Sequence, residues 1–227
     1  MHSSYLQFMP LAPIFYFGLM FILILVFAFV QVGVLSYAYE KVGVHRYYVF
    51  SLLLVSLLGS YVNIPVAAVP AKEIVSGQLI EFFGMQYVVP VVQDWPRTVI
   101  AVNVGGAVVP ILLSLYLISR NRLGFNALLA VVFVAAVVHM LAQPVRGLGI
   151  AVPTLLPPLA AALTAWVLGR RSAPALAYVA GSLGTLIGAD LMNLDVIQSL
   201  GAPIASIGGA GTFDGIFLTG IIAVLLA

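Results

Sequence analysis

Leu11–Tyr39 reads LAPIFYFGLMFILILVFAFVQVGVLSYAY, and this run decides the class of fold. It is nearly continuous Phe, Leu, Ile and Val, interrupted only by residues such as Gln31 and Gly33 that a helix in lipid tolerates. About 20 apolar residues in helical form cross the hydrocarbon core of a bilayer, so the run predicts a transmembrane helix. It is too long for a signal-peptide core, and neither a basic segment before it nor a small-residue cleavage site after it marks it for removal, so it is expected to stay as a span.

Working outward, the rest of the chain has the same character. Hydrophobic residues make up 63% of the 227 residues and charged ones 7%, with a mean hydropathy of +1.18. No polar shell could cover a soluble core of that composition. The expected architecture is an all-α polytopic membrane protein, a single integral-membrane domain over residues 1–227 with about seven transmembrane helices. After the first helix, VFSLLLVSLLGSYV (Val49–Val62) gives a second span that ends where Asn63 and Pro65 break the pattern. Further spans are expected at Arg97–Ile118, Phe125–Leu141, Val152–Leu168, Ala173–Leu191 and Thr212–Ala227. Between the second and third lies a segment rich in Val, Ile, Phe and Tyr with a turn signal at Ser76–Gln78, which predicts an extracytoplasmic β-hairpin insertion over residues 66–95. Pro153, Pro157 and Pro158 are expected to kink or unwind the outer half of the fifth span.

Lys41, Arg46, Arg120, Arg122, Arg170 and Arg171 fall in alternate loops, against Lys72, Arg97 and Arg146 in the others. Cytoplasmic loops attract Lys and Arg, which places the N-terminus outside and the C-terminus inside a prokaryotic cytoplasmic membrane. Nine Lys and Arg against seven Asp and Glu, scattered without a basic patch, argue against nucleic acid as a partner. The expected partners are membrane lipid and, in one reading, a transmembrane or extended peptide. With no cysteine, disulfides, thiolate chemistry and Cys-ligated zinc are excluded. No cofactor is called for and no metal site is expected: Asp190, Asn193 and Asp195 offer oxygens but lack the spacing and later glutamate of an EF-hand loop.

Once the chain is oriented, its polar residues gather toward the outer side: Asn63, Asp94, Arg97, Asn103, His139, Gln143, Arg146, Asp190, Asn193, Asp195 and Asp214. An ionisable side chain at membrane depth is costly unless it faces a wet cavity or a partner, so such residues mark a candidate site. Asp190 sits near the outer end of the sixth span and Asp214 begins the seventh. Antiparallel packing would bring both to one depth, where two carboxylates sharing a proton act as general base and acid on water. Asn103, His139, Arg146, Asn193, Gly209, Gly211 and Thr212 are the expected substrate-binding or supporting residues. The plainer alternatives are that Asp214 complements the N-terminus of the last helix with Thr212 as cap, and that Asp190 pairs with Arg146 or Asn103. Asp195 begins DVIQSLG, which reads as a capped short helix, and His139 as a side chain bonded to a loop carbonyl.

GADLMNL (Gly188–Leu194) followed by APIASIGGAGTFDGIFLTGIIAVLLA (Ala202–Ala227) resembles a family of bacterial and archaeal multi-pass membrane proteins without an assigned activity. A fainter similarity is to the GxGD-type intramembrane aspartyl proteases, which use one aspartate from each of two neighbouring helices. Gly211 stands three before Asp214 as that motif asks, while Phe213 occupies the place of its second glycine. Three functions follow as expectations: an intramembrane aspartyl hydrolase using Asp190 and Asp214, a transporter or channel for a proton, cation or small solute, and a non-enzymatic scaffold.

Overall fold

A computed structural model describes residues 13–70, 79–82, 85–88, 97–145, 149–199, 204–209 and 215–227. The chain divides into two units, Met1–Tyr37 and Ala38–Ala227. The first contains the leading part of α1 (Pro13–Lys41), an apolar helix of 29 residues. The second contains the end of α1 and is mostly helical, with α2 (Arg46–Gly59), α3 (Val109–Arg120), α4 (Gly124–Leu141), α5 (Leu156–Leu168), α6 (Ala173–Thr185) and α7 (Gly215–Leu226). Among the described residues, Gly124–Leu141 and Arg170–Val196 are helical stretches long and apolar enough to cross a membrane, and four other apolar helices are shorter.

Strands occupy more of the chain than the sequence predicts. β1 (Asn63–Pro70) pairs antiparallel with β4 (Arg97–Asn103), which pairs in parallel with β7 (Ile204–Ile207). The helix expected from Arg97 to Ile118 is therefore a strand at its start, because RTVIAVN is β-branched enough to join a sheet once partners flank it on both sides. It continues through a π-helical segment, Val104–Val108, into α3. The expected hairpin exists as β2 (Leu79–Phe82) and β3 (Met85–Val88), with Phe82 paired to Met85; the turn signal at Ser76–Gln78 lies outside the described residues. A further ribbon, β5 (Gln143–Val145) with β6 (Gly149–Ala151), precedes α5. That helix begins only at Leu156, with proline in its first turn, where a missing N–H leaves no hydrogen bond unmade. Pro157 and Pro158 thus sit at the start of this helix, and the expected span is unwound around Pro153, from Val152 to Leu155.

Hydrogen bonds link the ends of the helices remote from the sheet. Lys41 Nζ donates to the Val224 carbonyl oxygen at 3.1 Å, a cation at the negative C-terminus of α7. Arg120 donates to the Gly43 carbonyl oxygen at 2.5 Å and to Tyr116 Oη at 2.7 Å, and Asn126 Nδ2 donates to the Leu168 carbonyl oxygen at 2.9 Å.

α6 is the centre of the second unit. Every residue from Ala175 to Ser182 is buried, and Tyr178 packs against Tyr39 with ring centroids 6.2 Å apart at 50°. Gly184 and Gly188 let its backbone approach α4: a Cβ at either would collide with Val134 or with the backbone of Ala135. Toward its C-terminal end α6 passes into a second π-helical segment, Leu186–Asp190, and then into 3-10 turns over Leu191–Ser199 that bend at Asn193. The short helix expected from Asp195 exists as the 3-10 turns after the bend, where Asp195 is exposed, and its expected glycine stop, Gly201, lies outside the described residues. Ala107 of the first π segment, Leu186 of the second and Ile216 of α7 form one buried apolar cluster, so both interruptions and the start of the last helix pack together.

Candidate functional site

The second π segment ends at Asp190, which is half-buried. Its Oδ2 accepts a hydrogen bond of 2.7 Å from the backbone N–H of Gly208, in the turn after β7. Gly208 holds a φ of +91°, a conformation that favours glycine, and a Cβ there would meet Ala107 N at 2.6 Å. The carboxylate is therefore fixed by a turn that is itself wedged against the first π segment.

Asp190 lines a cavity of about 200 Å³ together with Thr154, Pro157, Thr185, Gly215 and Thr219. Thr185 is 4% exposed, and its Oγ1 is buried without a hydrogen-bond partner. A buried hydroxyl left unbonded costs about 1–3 kcal/mol; the residue lines the cavity, but its oxygen is closed off from it. Carboxylate and hydroxyl oxygens are hard donors, suited to a proton, a small cation or water. Among the described residues no three His, Asp or Glu gather as a metal-ligand cluster.

The supporting residues fall into separate places. Asn193 is buried and its Nδ2 lies 3.0 Å from the Gly188 carbonyl oxygen, 2.9 Å from that of Ala189 and 3.3 Å from His139 Nδ1. It satisfies carbonyls that the widened helical turn releases, and His139 of α4 backs it. Neither residue lines the cavity, so their role is to hold the segment that carries Asp190. Asn103 is fully buried. Its Oδ1 accepts from Gly106 N at 2.8 Å, and its Nδ2 donates to the Ser60 carbonyl oxygen at 2.7 Å and to Asn63 Oδ1 at 3.1 Å. Asn103 therefore caps the first π segment and does not bond Asp190. Asn63 Oδ1 also lies 2.6 Å from Ser206 Oγ, which is 2.7 Å from the Gly209 carbonyl oxygen, so one polar chain crosses β1, β4 and β7. Asp214, Arg146, Gly211 and Thr212 lie outside the described residues.

Sequence reasoning missed Thr185, Thr219 and Thr154, since single threonines in apolar helices carry no pattern. It also missed Gly208 as the partner of Asp190. The repeated letters Gly105-Gly106-Ala107 and Gly208-Gly209-Ala210, each following a Val/Ile-rich stretch, were the available signal.

Residues 57–226 match the model of a family described as a protein of unknown function, DUF1614. The chain belongs to this family. The match runs from the end of α2 to the end of α7 and so takes in both π segments and the cavity. No curated protein and no solved structure matches the chain.

Proposed function

We propose that this DUF1614 chain is a polytopic membrane protein of the prokaryotic cytoplasmic membrane, N-terminus outside, that binds a proton or small cation at Asp190 and carries it, alone or with a small solute, across the bilayer. One observation carries the reading: α6 is interrupted where a cavity lies, and the interruption ends on a carboxylate, Asp190, in its wall. Interrupted membrane helices supply ion sites in transporters because the break frees polar groups at depth without exposing them to lipid. The apolar outer surface supports the membrane setting, with Phe125, Phe133, Leu163 and Val167 all more than half exposed. Seven spans are part of the same proposal, the shorter helices crossing together with the strands and turns that extend them.

A second reading keeps the aspartyl hydrolase. Gly215, which follows Asp214 in the sequence, lines the same cavity as Asp190. A volume of about 200 Å³ suits an ion with a few waters or a small solute better than an extended peptide, which ranks this reading second.

The test is flux in proteoliposomes under a proton or sodium gradient. Asp190→Asn keeps an acceptor for Gly208 N–H and removes the charge, so it should abolish flux while the protein remains folded. Wild-type-like flux in this variant rules out the ion site. Flux absent from the wild type, with proteolysis of a membrane-embedded reporter that both Asp190→Asn and Asp214→Asn eliminate, moves the assignment to the hydrolase.

A further inference from the structure

A second concavity runs along the exposed face of the α4–α5 pair, with a volume of about 780 Å³ and no lining residue in common with the candidate site. Its walls include Leu129, Phe133, Val137 and Leu141 of α4 and Leu156 and Leu163 of α5. Thr164 also lines it, but its Oγ1 donates to the Ala160 carbonyl oxygen at 2.6 Å, so the groove offers no free polar group to a ligand. From Leu129 to Leu141 the helix rises about 18 Å, close to the roughly 15 Å depth of one leaflet's hydrocarbon. The groove has the length and chemistry of a single acyl chain.

Its two ends differ. Beyond Leu168, the last groove residue of α5, come Arg170 and Arg171, both exposed. The guanidinium of Arg170 lies 4.4 Å from the ring centroid of Trp166, which holds the cation beside the mouth of the groove. The residues flanking the opposite end, Ala142, Gln143, Thr154 and Leu155, carry no charge. An apolar channel about one leaflet deep, with two exposed arginines two and three residues beyond its last α5 residue, is complementary to a lipid with an anionic headgroup. We infer that the α4–α5 groove is a binding site for an anionic phospholipid, with one acyl chain in the groove and the phosphate at Arg170 and Arg171. This rests on the membrane setting proposed above but not on the ion site.

The chain has two tryptophans, so Trp95→Phe leaves Trp166 as the reporter at the groove mouth. This variant, reconstituted in phosphatidylcholine vesicles, is titrated with phosphatidylglycerol brominated on its acyl chains. Trp166 should be half-quenched at a mole fraction about tenfold lower than brominated phosphatidylcholine requires, two arginines each contributing a several-fold preference. Arg170→Gln with Arg171→Gln should equalise the two lipids, and Ala160→Leu, which fills the groove floor, should weaken quenching by both. Equal quenching in the parent protein means annular lipid only and overturns the site, as does a preference that survives loss of both arginines. Since the chain has no cysteine, Leu163→Cys provides a control: efficient disulfide cross-linking between copies would make a second copy the occupant and overturn the lipid assignment. Failure of the protein to float with vesicles would instead strike at the membrane setting itself.

Discussion

Two strand-to-helix turns in this molecule are written in nearly the same letters and are wired differently. After β4 the chain reads Asn103-Val104-Gly105-Gly106-Ala107, and after β7 it reads Ser206-Ile207-Gly208-Gly209-Ala210. The strands are parallel neighbours, so the glycines of both turns emerge at the same edge of the sheet and pack on each other. In the first turn the asparagine side chain reaches forward to Gly106 N–H, and the turn satisfies itself. In the second, the equivalent amide, Gly209 N–H, donates to the Ser206 carbonyl oxygen at 3.2 Å, the serine hydroxyl faces Asn63 and the Gly209 carbonyl, and the preceding amide, Gly208 N–H, is taken by Asp190 from another element. The second turn is thus tied, through its first glycine, to a carboxylate on the wall of the cavity. The first turn is architecture, and the second couples architecture to the candidate site.

The largest effect should come from closing the space between the turns. Gly208→Ala would force a side chain into a left-handed conformation and against the backbone of Ala107. Conformational strain and overpacking each contribute about 1–3 kcal/mol, and the rigid neighbour makes the upper end the expected value. Loss of the folded species in detergent, read by thermal unfolding, is the outcome; a variant as stable as wild type would show that the turns do not touch.

Next in size is the asymmetry itself. Asn103→Ala strands the Gly106 N–H and the Ser60 carbonyl in a dry environment and should destabilise by about 3 kcal/mol, while Ser206→Ala, at a half-buried position, should lose about 1 kcal/mol or less. Comparison of the two unfolding midpoints checks this. Equal losses would mean that both turns depend on their preceding polar side chain alike, and the contrast drawn above would fall.

Local pattern explains which of these features the sequence discloses. α4 is visible as an uninterrupted apolar run, and its observed bounds differ from expectation by one residue. The prominence of Asp190 is equally plain, because a charge in an apolar chain needs no periodicity to be noticed. The strand β4 was hidden because Val and Ile serve helix and strand equally in an apolar context, and only pairing with β1 and β7 from distant sequence decides between them. The start of α5 was misplaced for a related reason: proline interrupts a helix in its middle and begins one at its first turn, and which applies depends on the ribbon formed by β5 and β6. Asn103 and Asn193 looked like site residues for their polarity. Their partners are backbone groups released at irregular helical turns, and the irregularity has no local signature.

The smallest change in stability is expected at Thr185, and there the comparison can be sharpened into a statement about function. Valine has nearly the shape of threonine and lacks the hydroxyl, so Thr185→Val removes a buried oxygen that has no protein partner and leaves the surrounding packing intact. For a purely structural threonine the substitution should be neutral or stabilising by about 1 kcal/mol, because an unsatisfied polar group is removed. If the hydroxyl instead ligates the ion bound at Asp190, the same variant unfolds at an unchanged or higher temperature but requires a several-fold higher ion concentration for half-maximal flux. Ser206→Ala, whose hydroxyl is already engaged by Asn63 and the Gly209 carbonyl, should leave that concentration unchanged. A parallel shift in both variants would show that flux responds to the turn and not to a ligand in the cavity.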